Sequence, residues 1–243
     1  MAKSYSPAAQ RRGVAANAPK QSKSPEDALR EVGFTYSRGL ARMHPDQLRE
    51  VADRLVELER EYDISEYRKG EGVDIDYGVL FSESGFPLSA SVAAQTESYL
   101  GDMVQTITFN SKNSYERLNS AIESMRTKGD TVPYDPKTTT PWQYIATHEY
   151  GHALQHAILT RQGIDNRYSR SNAVANHRSK IIKYAEGHNG GKSVSEQMSK
   201  YGATSPDEFF AEAFTNAHSG APNAIGKGMM DFLADMRKQG YLK

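Results

Sequence analysis

The sequence predicts an α+β fold: helices, then a few strands, then a mainly helical C-terminal part. Three observations carry that expectation. From Pro45 onward, Leu48, Val51, Ala52, Leu55, Leu58 and Tyr62 recur at helical spacing. Two later segments alternate with period two. In one, Val73, Ile75, Tyr77, Val79 and Phe81 interleave with Asp74, Asp76, Gly78 and Leu80; the other, residues 105–110, reads Q-T-I-T-F-N. Beyond residue 140 the helical period returns and holds almost to the end of the chain.

Each element has local chemistry behind it. Ser24-Pro25-Glu26-Asp27 reads as a helix start, with Ser24 as the N-cap and Pro25 in the first position. The alternation over 73–81 places Asp74 and Asp76 on the face opposite the apolar set, so solvated acids are expected there rather than a cation site. Residues 105–110 are rich in β-branched side chains and read as an edge strand. Thr140-Pro141-Trp142-Gln143 is a capping box, opening a helix that runs to about Thr160 with Gly163 as its stop. Residues 171–186 read as helical. Gly187-His188-Asn189-Gly190-Gly191 reads as a loop with neither the lysine nor the spacing of a phosphate loop. Ser205-Pro206-Asp207-Glu208 starts another helix, and Pro222 to Lys238 forms the last, with Met229, Phe232, Leu233 and Met236 as its buried stripe.

Composition narrows the function classes. At 243 residues the chain is long enough for one sizeable domain, expected over 26–243. No apolar run approaches the ~20 residues of a membrane span, so no membrane partner is expected. With no cysteine, disulfides and thiolate metal sites are excluded. No secretory signal is visible, which points to a cytoplasmic or virion-associated protein. The zero net charge hides an asymmetry: residues 1–25 hold Lys3, Arg11, Arg12, Lys20 and Lys23 and no acid, leaving 25 basic against 30 acidic residues in the rest. That segment has too little apolar surface to offset its ordering entropy and is expected to be a disordered basic tail. It could contact an acidic partner or a larger assembly, but five charges on such a segment are a weak nucleic-acid footprint.

The chemistry lies in His148-Glu149-Tyr150-Gly151-His152, an H-E-x-x-H pentad in the middle of the helix over 140–160. Residues four apart on a helix share a face, so His148 and His152 can both reach one Zn²⁺. Glu149, one step round, cannot easily join the same coordination sphere but can take a proton from the metal's water. His156 is rejected as a third ligand because eight residues of helix put it ~12 Å from His148; a role on the substrate side, beside a ligand, or as surface polarity remains for it. The missing ligand should come from another helix. Glu208 and Glu212 lie one turn apart among Phe209, Phe210, Ala211, Ala213 and Phe214, where inward carboxylates are costly unless paired with a cation. One could ligate the metal while the other accepts the outer N–H of a ligand histidine. Gly151 in mid-helix costs ~0.5–1 kcal/mol relative to Ala and calls for a reason such as close packing.

The pentad followed by E-F-F-A-E-A-F resembles the glutamate-type zincins, in particular the catalytic domain of the anthrax lethal factor type. The specific matches fall in 147–157 and 201–219. The resemblance implies a zincin-like metallopeptidase domain, a small mixed sheet over the active-site helix with a mainly helical C-terminal part, with Zn²⁺ held by His148, His152 and Glu208, and Glu212 supporting a histidine. It implies Glu149 as general base and Tyr201, seven residues before the ligand glutamate, as donor to the oxyanion. Zincin domains of this general kind also occur in phage and mobile-element proteins. The expected function is hydrolysis of a protein or peptide substrate lying extended beside the 105–110 strand. The alternative is a structural or assembly protein, such as a phage virion component, that retains the fold.

Overall fold

Local capping starts the helices where the sequence places them. A computed structural model describes residues 23–37, 39–64, 73–78, 93–98, 105–132, 135–164, 167–189 and 194–243. The expected tail as far as residue 22, residues 79–81 of the alternating segment and residues 190–191 of the glycine-rich stretch lie outside them. Helix α1 (Pro25–Glu31) has Ser24 as N-cap, its side chain accepting the Asp27 amide. Strand β1 (Thr35–Tyr36) follows, then helix α2 (Pro45–Tyr62). After strands β2 (Val73–Gly78), β3 (Ala94–Ser98) and β4 (Gln105–Asn110) come helices α3 (Tyr115–Thr127) and α4 (Pro141–Arg161). In α4, Thr140 accepts the Gln143 amide and the Gln143 side chain accepts the Thr140 amide, completing the expected box. Helices α5 (Arg167–His188), α6 (Pro206–Ala217) and α7 (Ala224–Lys238) end the chain. Helix α5 outruns its expected bounds, so Gly187 and His188 are helical rather than loop. Helix α7 starts at Ala224 because Asn223 caps it.

The described strands form one mixed sheet in the order β1-β2-β4-β3, with β1/β2 and β2/β4 parallel and β3/β4 antiparallel. Strand β4 is therefore interior, which corrects the edge position expected for residues 105–110. Its alternation reflects burial under α4: Ile107 and Phe109 are fully buried, and Phe109 packs on Trp142 with ring centroids 6.3 Å apart. The edges of the described sheet are β1 and β3, and the β3 sequence A-Q-T-E-S carries no apolar alternation. Asp76 is also not simply solvated; it is half-buried and accepts a hydrogen bond from Ser37.

Helix α4 is the axis of the domain. On one side it meets the sheet, through Gln105 Nε2 and the Ala153 carbonyl at 3.4 Å. On another it meets α2, where Tyr150 donates to Glu59 at 2.8 Å and Arg54 Nε donates to Thr147 at 2.8 Å. Against α6 the approach is close enough to explain Gly151: a Cβ there would stand 3.1 Å from Ala211 Cα and 3.3 Å from Phe214. A helix covered on so many sides needs no single apolar stripe.

His177 on α5 is buried between Phe210 and Phe232, with ring centroids 6.2 and 5.0 Å away, and its Nε2 meets Gln162 Oε1 at 3.2 Å. Burial, helped by Lys180, pushes its pKa down to about 4. The unfolded chain thus binds the extra proton between about pH 6.5 and 4, and stability falls as pH drops through that window. Urea unfolding at pH 7 and 4.5 should show the wild type losing about 2 kcal/mol more than His177→Leu. Equal losses would remove His177 as a source of acid sensitivity.

Candidate metal centre

Helical spacing on α4 brings the His148 and His152 rings together, with centroids 5.0 Å apart and planes at 81°. Helix α6 delivers the third group. Glu208 Oε2 stands 3.1 Å from His148 Nε2 and 3.5 Å from His152 Nε2. One ligand atom from each of the three residues falls within 4.8 Å of the others. Ligand atoms around a tetrahedral Zn²⁺ stand roughly 3.3 Å apart, given bonds of 2.0–2.2 Å, so this group could hold a metal ion. Ser205 accepts the Glu208 amide at 3.1 Å as N-cap, while the Glu208 carboxylate is turned to the histidines.

Glu212, one turn further along α6, is 1% exposed and meets a different set of groups. Its Oε1 accepts from the Tyr144 hydroxyl at 2.6 Å, and its Oε2 accepts from the Val132 amide at 3.0 Å and Ser199 Oγ at 2.7 Å. The Oε1 atom also stands at ion-pair distance, 3.2 Å, from His148 Nδ1, which has no hydrogen-bond partner among the described residues. Ser199 in turn accepts the Gly202 amide at 2.9 Å. A Cβ on Gly202 would fall 2.4 Å from Met198 Sδ and 3.0 Å from Glu212 Cβ, so this turn closes tightly over the acid. Tyr201 sits on the turn, its ring centroid 5.8 Å from that of His148.

Glu149, one step round α4, is buried outside the three-residue group. Thr96 of the edge strand β3 fixes it, its hydroxyl 2.7 Å from Glu149 Oε2 and 3.0 Å from the Glu149 carbonyl oxygen. Two cavities flank this carboxylate, and Glu149, Tyr201 and Ala94 line both. The larger, about 430 Å³, is polar and includes Gln95, His152, Gln155, Arg170, Asp207 and Glu208. The smaller, about 210 Å³, has Ile122, Met125, Ile145 and Tyr144 in its wall.

The electrostatics favour positive charge at the centre. Burial opposes a proton on His148, but bonds to Glu208 and Glu212 overcome it and raise the histidine to about 10. Burial likewise works against charge on Glu208 and Glu212, yet the histidines hold Glu208 well below the ordinary carboxylate range and His148 lowers Glu212. Burial, with Glu208 and Glu149 nearby, holds the Tyr201 phenol well above its usual range, so it keeps its proton.

The structure thus brings all six sequence-predicted residues into one site. His156 is absent from the metal group and is not surface polarity: it is buried, with Nδ1 2.6 Å from an Arg170 guanidinium nitrogen. Sequence reasoning missed Thr96, Ser199, Gln155 and Arg170. None carries a spacing signal, since each reaches the site through tertiary packing. Comparison with known proteins finds no matching family model, no curated relative and no matching solved structure.

Titration calorimetry with zinc should separate the two glutamates. Glu208→Gln, His148→Ala and His152→Ala should each abolish stoichiometric binding, whereas Glu212→Gln should weaken it about 10–100-fold. Tighter binding by Glu208→Gln than by Glu212→Gln would reverse the assignment.

Proposed function

We propose that the chain is a zinc-dependent endopeptidase, and the placement of Glu149 is the observation that carries this reading. An acid buried beside a His-His-Glu group, outside that group and held by a hydroxyl from a sheet edge, has little structural purpose. It is well placed to handle a proton. Two imidazoles and one carboxylate form the donor set of catalytic zinc centres. When bound, zinc would acidify a water and polarise the scissile carbonyl.

The chain's own residues supply the rest. Thr96 holds Glu149 Oε2, and the carboxylate accepts a proton as the nucleophile attacks and passes it to the leaving amine nitrogen. The Tyr201 phenol, protonated and on the rim shared by both cavities, donates to the oxyanion. Glu212 orients His148 from its outer nitrogen. An extended substrate would pair with β3, the edge strand beside Glu149, rather than with interior β4. The resemblance of the pentad and E-F-F-A-E-A-F to glutamate-type zincins supports the same reading. The mixed sheet across the metal-binding helix agrees with it.

The experiment is incubation of the zinc-loaded protein with a diverse peptide library, with products read by mass spectrometry. Cleavage should disappear in Glu149→Gln and in chelated protein. Tyr201→Phe should retain zinc but turn over ~10²–10³-fold more slowly. Cleavage persisting in Glu149→Gln would overturn the mechanism. No cleavage by the wild type would favour an assembly protein that keeps the fold.

A further inference from the structure

The larger cavity extends past the metal group to two donors that this mechanism does not use. Arg170 on α5 is half-buried, and among the described residues no carboxylate lies within 4.0 Å of its guanidinium. One guanidinium nitrogen instead stands 2.6 Å from His156 Nδ1, which fixes the guanidinium against the wall. Burial lowers the Arg170 pKa, and Asp207 offsets this only in part. Gln155 on α4 is 1% exposed, lines the same cavity, and has a side-chain amide nitrogen with no hydrogen-bond partner among the described residues. A half-buried guanidinium without an acid and a buried amide without an acceptor both leave a penalty that a bound anionic oxygen would remove. Asp207 shares the cavity, but it lies in the first turn of α6, where the helix amides already compensate its charge. Glu149 and Glu208 face the metal side of the same space.

We propose that the Arg170 and Gln155 end of the polar cavity is a substrate subsite that receives a carboxylate of the peptide, making the protein selective for acidic sequences. The proposal rests on the peptidase reading for the identity of the ligand. The planar guanidinium fork matches a carboxylate bidentately, and the Gln155 amide adds a third donor. His156 is the positioning residue for Arg170, which accounts for a buried histidine two turns beyond the first metal ligand. The carboxylate could come from an Asp or Glu side chain or from the chain terminus.

The test uses zinc-loaded Glu149→Gln protein, which should bind peptides without cutting them, and fluorescence anisotropy of labelled hexapeptide pools. One pool fixes Asp or Glu at a central position, a second fixes Asn or Gln, and each is made with a free and an amidated C-terminus. Acid-containing pools should bind about tenfold tighter, as expected for a charge-assisted pair. Adding Arg170→Gln should abolish that preference while zinc occupancy and the melting temperature stay unchanged. Preference for the free terminus alone would locate the carboxylate at the chain end. Equal binding of all the pools, with free and amidated termini alike, would overturn the subsite, as would a carboxylate preference that survives Arg170→Gln, because the carboxylate would then be meeting zinc. Cleavage by the wild type with no preference for a side-chain or terminal carboxylate would leave the peptidase reading and remove the subsite. Acid-selective, Arg170-dependent binding without any cleavage would do the reverse.

Discussion

The site depends on the burial of one carboxylate, Glu212. Removing an ionised acid from water costs several kcal/mol unless hydrogen bonds replace the lost solvent. Glu212 gathers its replacements from separate parts of the chain, Tyr144 on α4, the Val132 amide before α4 and Ser199 after α5, with the His148 ring 3.2 Å away at ion-pair distance. Satisfying this acid therefore fixes the rotation of α6 against α4, sets the His148 ring from its outer nitrogen, and closes the turn that carries Tyr201. Glu208, on the same helix, is then brought up to both histidines. Gly151 allows this arrangement by letting the Ala211 backbone approach.

A second constraint runs from the sheet. Strand β3 is polar and lies at the edge, yet it supplies Thr96 to Glu149 and contributes Ala94 to both cavities. The acid beside the metal group is thus held from the strand along which an extended peptide would lie. In the proposed peptidase, positioning of the acid and the path of the substrate would share one element. The two cavities differ in character on either side of Glu149, one walled by Ile122, Met125 and Ile145 and the other by Gln155, Arg170 and Asp207. In that reading, a cleft of this kind would distinguish the two ends of a bound chain.

Much of this was legible in the sequence because helices record their geometry locally. Capping residues marked the starts of α1, α4 and α6, and the spacing of His148, His152, Glu208 and Glu212 announced which side chains could converge. Strand order was not legible. The alternation of 105–110 signals burial of one face but not how many neighbours a strand has, so an interior strand was read as an edge. Strand β3 and helix α3 escaped notice because their patterns are polar or weakly periodic. Thr96, Ser199, Gln155 and Arg170 could not be found from spacing, since their roles arise only when distant segments pack. His156 shows the opposite case: it continues the histidine row of α4, but helix rise carries it away from the metal group and toward Arg170.

The most direct measurement is anomalous X-ray diffraction from crystals of the zinc-loaded protein, collected on both sides of the zinc absorption edge. The account predicts one strong peak per chain, about 2.0–2.2 Å from His148 Nε2, His152 Nε2 and a Glu208 oxygen. Glu212 should remain on His148 Nδ1 and Glu149 should remain unligated. A peak coordinated by Glu212 or Glu149 in place of Glu208, or zinc bound only elsewhere on the chain, would contradict it.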